Sequence, residues 1–157
     1  MSVESKVAQK LIAQKKTLAI AESCSGGLLT HRLTNIPGSS RFLIAGIVSY
    51  ADTAKTQLLQ IPSVILKRHG AVSRPVAALM AQNIRRKFRC DFGVGLTGVA
   101  GPTGGTEAKP VGLIFIAVSS ARQTIARRFL FKGSRRQNKK QAADQALELL
   151  SKFLKAR

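Results

Sequence analysis

The sequence predicts an α/β protein: a three-layer α/β/α sandwich on a mixed, mostly parallel sheet. Three observations carry this. Short buried-type apolar runs alternate with segments of helical periodicity, the pattern of βαβ units. Two β-rich runs near the carboxy terminus, VGLIFIAVSS and QTIARRFLF, are separated by a few turn residues as in an antiparallel hairpin, which makes the sheet mixed. The 157 residues suit one compact domain, so positions 1–157 are read as a single unit with a core that needs no disulfide staples.

The elements follow in order. Val3, Val7 and Leu11 fall at helical spacing, and TLAIA (17–21) reads as a short buried strand that stops at the glycine-bearing turn ESCSGG. GLLTHRLTN opens a helix there. After PGSS, FLIAGIVSY is a second strand ending at Tyr50, and DTAKTQLLQ is a helix with Asp52 in its first turn. A short helix follows Pro62 and leads to HGAVS. Val76, Met80, Ile84 and Phe88 then repeat every four residues behind Ser73, which stands where an N-cap belongs. DFGVGLTG is a central strand, and TGVAGPTGGTEAKP beyond it is a long loop. A last helix, expected from about Asn138, buries Ala142, Ala146, Leu149, Leu150 and Phe153.

Charge is the unusual feature. Lys and Arg number 26 against seven Asp and Glu, a formal net charge of +19, and such a field draws phosphates and other polyanions. Seven scattered carboxylates and two histidines make a dedicated carboxylate or histidine metal cage improbable. Cys24 and Cys90 form no Cys-x-x-Cys pair and no disulfide framework, as in a reducing compartment. The start MSVESKVAQKLIAQKK has no apolar signal stretch, and no run reaches the ~18 apolar residues of a membrane span; a cytoplasmic protein with no membrane partner is expected.

Four segments could carry chemistry. AESCSGG (21–27) is a strand, a turn of small residues and a helix start, where unpaired N–H groups could hold an anion or where Ser23 or Ser25 simply caps a helix. Cys24 in that turn could be a thiolate, but no histidine lies nearby in sequence and buried filler is the plainer reading. PGSS with SYADTAK brings Ser39, Ser40, Tyr50 and Lys55 into one supersecondary unit. There a lysine kept neutral by burial and neighbouring cations could take a serine proton, with Tyr50 holding or relaying it. LTGVAGPTGG places Thr97 at a strand end and lets backbone approach a ligand closely. FKGSRRQNKK gathers Arg135, Arg136, Lys139 and Lys140 at a strand-to-helix junction, either as a solvated face or as a phosphate clamp.

In this order, AESCSGG, PGSSRFLIAGIVSYADTAK, HGAVS and LTGVAGPTGGTEAKPVG resemble the CinA carboxy-terminal domain family, known also as the nicotinamide mononucleotide deamidases. The resemblance runs from about residue 17 to 150 and implies hydrolysis of nicotinamide mononucleotide to nicotinic acid mononucleotide and ammonia. It implies Ser40 as nucleophile with Tyr50 and Lys55 as its catalytic partners. A substrate site follows from it too, made by Ser23, Gly26, Gly27, Thr97, Gly98, Gly101 and Arg135. The family's Gly-Asp-Arg stands here as Gly133, Ser134, Arg135, which removes an orienting partner of Arg135, and Lys139 stands in place of an arginine. The resemblance implies no metal or organic cofactor. Many family members carry an additional amino-terminal domain, from which this chain departs, so a stand-alone form is expected, and with it a homo-oligomer, a dimer being expected. The partner is then a small phosphorylated nucleotide, with nucleic acid bound only weakly and without specificity. The alternative is a basic nucleic-acid-binding or competence-associated protein with a vestigial site, although zinc spacing and RNP-type aromatics are missing.

Overall fold

The structure, a computed structural model, describes residues 1–154. On α1 (Val3–Ala13) the side chains of Val7, Ala8 and Leu11 form one buried stripe, and the Ser2 hydroxyl caps the helix by accepting the Ser5 amide proton. Every residue of β1 (Leu18–Glu22) is buried, because this strand lies inside the sheet with helices on both faces. Next come α2 (Leu28–Thr34), a 3-10 turn (Ser39–Arg41), β2 (Leu43–Val48), α3 (Asp52–Leu59) and α4 (Ser63–His69). The chain continues through α5 (Arg74–Lys87), β3 (Phe92–Gly98), β4 (Leu113–Ser119), β5 (Thr124–Leu130) and α6 (Arg135–Phe153).

The five strands lie in the order β2-β1-β3-β4-β5. β1 is parallel to both β2 and β3, whereas β4 is antiparallel to β3 and β5, so the sheet is mixed and β4 alone runs against the other four. Alternation sorts the core into layers. Leu18 and Ile20 face α1, α2 and α6 together with Val94, Leu96, Ile114 and Ile116, while Ala19 and Ala21 face the α3–α4–α5 side with Leu59, Ile61, Met80 and Ile84. This is the expected α/β/α sandwich. On β3, Gly95 lets α5 approach the sheet, since a Cβ there would sit 2.6 Å from the Ala77 carbonyl oxygen.

Helix starts agree with the sequence at one place and differ at another. Ser73 caps α5, its hydroxyl accepting from the Val76 amide. The last helix begins at Arg135, a turn before the expected Asn138, because Ser134 and Gln137 form a reciprocal capping box. Asn138 is thus a buried residue inside the helix rather than its first. No helix among the described residues is long and apolar enough to cross a membrane.

Candidate active site

The carboxy-terminal ends of β1, β2 and β3 are where chain reversals leave room for a ligand in an open α/β sheet. A cavity of about 380 Å³ opens there, within the range of small-molecule sites. Its wall takes Ser23 and Cys24 from the turn after β1, Tyr50, Asp52 and Lys55 from the β2–α3 junction, Thr97 to Gly101 from the end of β3, and Arg135 from α6.

The turn after β1 is built by glycine and by one carboxylate. Gly26 and Gly27 have φ of +62° and +94°, a left-handed region that side chains with a Cβ rarely adopt. Neither glycine lines the cavity; they shape the turn that delivers Ser23. Neither Ser23 nor Ser25 caps α2, whose N-cap is Gly27. The cap comes instead from Glu22, fully buried at the strand end. Its Oε1 accepts from the Leu29 amide at 2.7 Å and from Ser25 Oγ at 3.2 Å, and its Oε2 accepts from Thr30 Oγ1 at 3.3 Å. Burial raises the Glu22 pKa, and these donors act against that rise. An acid closing an apolar strand was the available sequence signal for this clamp.

Lys55 sits in the first turn of α3 and is 1% exposed. Its Nζ lies 3.0 Å from Ser23 Oγ, 2.9 Å from the Ser49 carbonyl oxygen and 3.1 Å from the Tyr50 carbonyl oxygen. Removal from water lowers its pKa, with the nearby Asp52 carboxylate pulling the other way. Burial also pushes the Cys24 thiol up, to about 11, so it is a protonated, inert wall residue at neutral pH.

The expected pairing of Ser40 with Lys55 does not form within the chain. Ser40 is an exposed residue of the 3-10 turn that precedes β2, whereas Lys55 follows β2. The two are at opposite ends of a six-residue strand, about 20 Å of rise. The hydroxyl beside the lysine is that of Ser23, a residue expected from the family resemblance in the substrate site. Tyr50 also differs from expectation: its carbonyl oxygen, not its hydroxyl, meets Lys55. The hydroxyl accepts from Arg135 Nη2 at 3.2 Å.

The remaining candidates meet at the cavity mouth. Thr97, buried, donates its hydroxyl proton to the Ala71 carbonyl at 2.9 Å, and Gly98 and Gly101 line the wall beyond it. Arg135 Nη1 donates to the Gly101 carbonyl at 2.7 Å. In place of the missing aspartate, then, Ser134 serves as helix cap, and a backbone carbonyl with Tyr50 orients the guanidinium. Asn138, not singled out from the sequence, fixes both ends of this corner: Nδ2 donates to the Ala100 carbonyl at 3.0 Å and Oδ1 accepts from the Gly133 amide at 2.9 Å. Lys139 reaches over the turn, its Nζ 3.4 Å from where a Cβ on Gly26 would stand.

The CinA C-terminal domain family model matches residues 1–154. A CinA-like protein of Syntrophus aciditrophicus is 51% identical over 99% of this chain, and one of Koribacter versatilis is 45% identical over 98%. The chain spans 37% of the length of each of these two curated relatives. A crystal structure of a CinA superfamily protein from Klebsiella pneumoniae superposes with a TM-score of 0.95 at 31% identity, covering 99% of this chain and 97% of its own. The competence/damage inducible protein CihA of Agrobacterium tumefaciens superposes with a TM-score of 0.91 at 32% identity, covering 97% and 96%. With a family match over nearly its whole length and structural relatives over the full sandwich, the chain belongs to the CinA C-terminal domain family.

Proposed function

We propose that the protein is an amidohydrolase that converts nicotinamide mononucleotide to nicotinic acid mononucleotide and ammonia, with Ser23 as nucleophile and Lys55 as base. One observation carries this reading: the three neighbours of the Lys55 amine are two carbonyl oxygens and one hydroxyl. A neutral amine has two N–H donors and one lone pair. The Ser49 and Tyr50 carbonyls can only accept, so they take the two N–H groups, and the lone pair is left facing the Ser23 hydroxyl. Burial favours that neutral form.

The chemistry then runs through this pair. Ser23 Oγ bonds to the carboxamide carbon as its proton passes to Lys55, and the tetrahedral adduct collapses with cleavage of the C–N bond. Lys55 returns the proton to the departing nitrogen, which leaves as ammonia. A water then loses a proton to the same amine and attacks the ester carbon; the C–O bond to Ser23 breaks, Lys55 returns the proton to Ser23 Oγ, and the acid product leaves as its carboxylate with a proton released to solvent. No metal or organic cofactor takes part in these steps. The phosphate of a mononucleotide suits the guanidinium of Arg135 in the cavity wall, with the Lys139 amine over the neighbouring turn. Ammonia release from nicotinamide mononucleotide by purified protein tests the reading. Wild type and Ser40→Ala should turn over and Ser23→Ala should not; activity in Ser23→Ala, or none in wild type, would overturn it.

A further inference from the structure

Three residues of the cavity wall can carry a charge near neutral pH: Asp52, Lys55 and Arg135. With the Lys55 amine neutral, the form its burial favours, the wall is left with one anion and one cation. They come from opposite layers of the sandwich, Asp52 from α3 on one face of the sheet and Arg135 from α6 on the other. The Arg135 guanidinium is fixed between the Gly101 carbonyl and the Tyr50 hydroxyl.

Asp52 stands apart from most acids of this chain. Among the described residues Glu4, Asp91 and Asp144 are taken up in ion pairs, and Glu22 is enclosed by its own donors. Asp52 enters no ion pair, although the chain holds 26 lysines and arginines. Lys67, which shares the neighbouring α3–α4 groove with it, makes none with it either. A first-turn acid suits the α3 dipole, a role that leaves its oxygens open to the cavity. Asp52 and Lys55 are three residues apart on this helix, so their side chains share a face with Cβ atoms about 5–6 Å apart. The carboxylate is close enough to oppose the fall in the Lys55 pKa.

We propose that Asp52 is a specificity-determining residue: its carboxylate forms a subsite for a positively charged aromatic ring, so that the cavity selects a carboxamide borne on a quaternised pyridine. The inference rests on the proposed activity and names what is recognised in that substrate beside the base. Nicotinamide mononucleotide has a permanent cation at its ring nitrogen, meta to the carboxamide, and a phosphate at the far end of its ribose. With the carboxamide carbon at Ser23 and Lys55, the ring nitrogen lies toward the next residue on that helix face, Asp52, and the phosphate extends toward Arg135. An anion and a cation in the wall thus answer a cation and an anion in the ligand. In a chain of net charge +19 a cationic ring needs such a carboxylate, because the field of the remaining residues repels it. The ring charge is the same before and after attack on the amide. Asp52 therefore holds ground state and transition state alike and acts on KM rather than on kcat.

Isothermal titration of Lys55→Met, which holds substrate without turning it over, tests the proposal with two ligands. One is nicotinamide mononucleotide; the other is benzamide riboside 5′-monophosphate, which keeps carboxamide, ribose and phosphate on a ring without charge. The cationic ligand should bind roughly 5- to 30-fold more tightly than the neutral one. Asp52→Asn, added to Lys55→Met, should remove most of that preference by weakening the cationic ligand alone. KM for nicotinamide mononucleotide and the inhibition constant of the neutral-ring ligand, measured on the wild-type chain and on Asp52→Asn, give the same comparison without Lys55→Met. Equal weakening of both ligands by Asp52→Asn would put the carboxylate on the ribose hydroxyls and overturn the proposal. A preference that Asp52→Asn leaves unchanged, or binding of both ligands with no preference, would overturn this inference alone, whereas binding of neither ligand would overturn the proposed activity with it.

Discussion

Replacing Lys55 by Met isolates the buried amine, and pH separates its charge from its packing. Burial lowers the Lys55 pKa from the ordinary 10.5, so between the folded value and 10.5 the unfolded chain holds a proton that the folded chain does not. In that window wild-type stability rises with pH. Each tenfold displacement of the ammonium–amine equilibrium costs the fold about 1.4 kcal/mol below the window, and the cost vanishes above 10.5. Met lacks that proton and leaves the Ser49 and Tyr50 carbonyls without a donor, a loss of about 1–3 kcal/mol each that does not vary with pH. The difference in unfolding free energy, wild type minus Lys55→Met, should therefore climb by up to about 1.4 kcal/mol per pH unit within the window. For a chain of this size that is a change in relative Tm of roughly 2–4 °C per kcal/mol. Urea melts of both proteins from pH 6 to 10.5 measure it. A difference that stays flat across the whole range would refute the buried, deprotonated lysine and with it the base.

The companion effect is kinetic: kcat/KM for nicotinamide mononucleotide should rise with pH through the folded-state titration of Lys55 and level off, and Lys55→Met should fall by roughly 10³-fold or more. Arg135→Ala frees Gly101 and Tyr50 from their shared donor and removes a rim cation; KM should rise more for nicotinamide mononucleotide than for nicotinamide riboside, which has no phosphate, and equal rises would remove the phosphate role. Duplex DNA should bind weakly at low salt, with log K falling steeply against log salt until binding is lost near physiological ionic strength. Tight binding that persists there would favour a nucleic-acid partner.

The layers of the fold were legible because periodicity reports which face is buried: Val76, Met80 and Ile84 on α5, and the all-apolar TLAIA run of β1, left few alternatives. The start of α6 was not, because Arg135 and Arg136 are exposed and add no apolar beat, and its cap is a Ser–Gln pair rather than a Ser–Glu one. The site was half legible. Lys55, Thr97 and Arg135 do converge on the cavity, since each follows or precedes a strand end on the same side of the sheet. Ser40 does not meet Lys55 within the chain for a topological reason: PGSS and Lys55 are close in sequence, yet β2 runs between them. Ser23 and Lys55 are 32 residues apart and meet because β1 and β2 are parallel neighbours, with Glu22 opposite Val48. Spacing along one strand shows which end a residue occupies, but which strands lie side by side is a property of the whole sheet.

The identity of the nucleophile can be read directly from the acyl intermediate. Trypsin cleavage after Lys16, Arg32 and Arg41 puts Ser23 on the peptide 17–32 and Ser40 on the peptide 33–41. Protein mixed with nicotinamide mononucleotide, quenched in acid during turnover and digested should carry the nicotinate mononucleotide ester on 17–32, and the adduct should be absent from Ser23→Ala. An adduct on 33–41 instead would contradict the account and move the chemistry to Ser40.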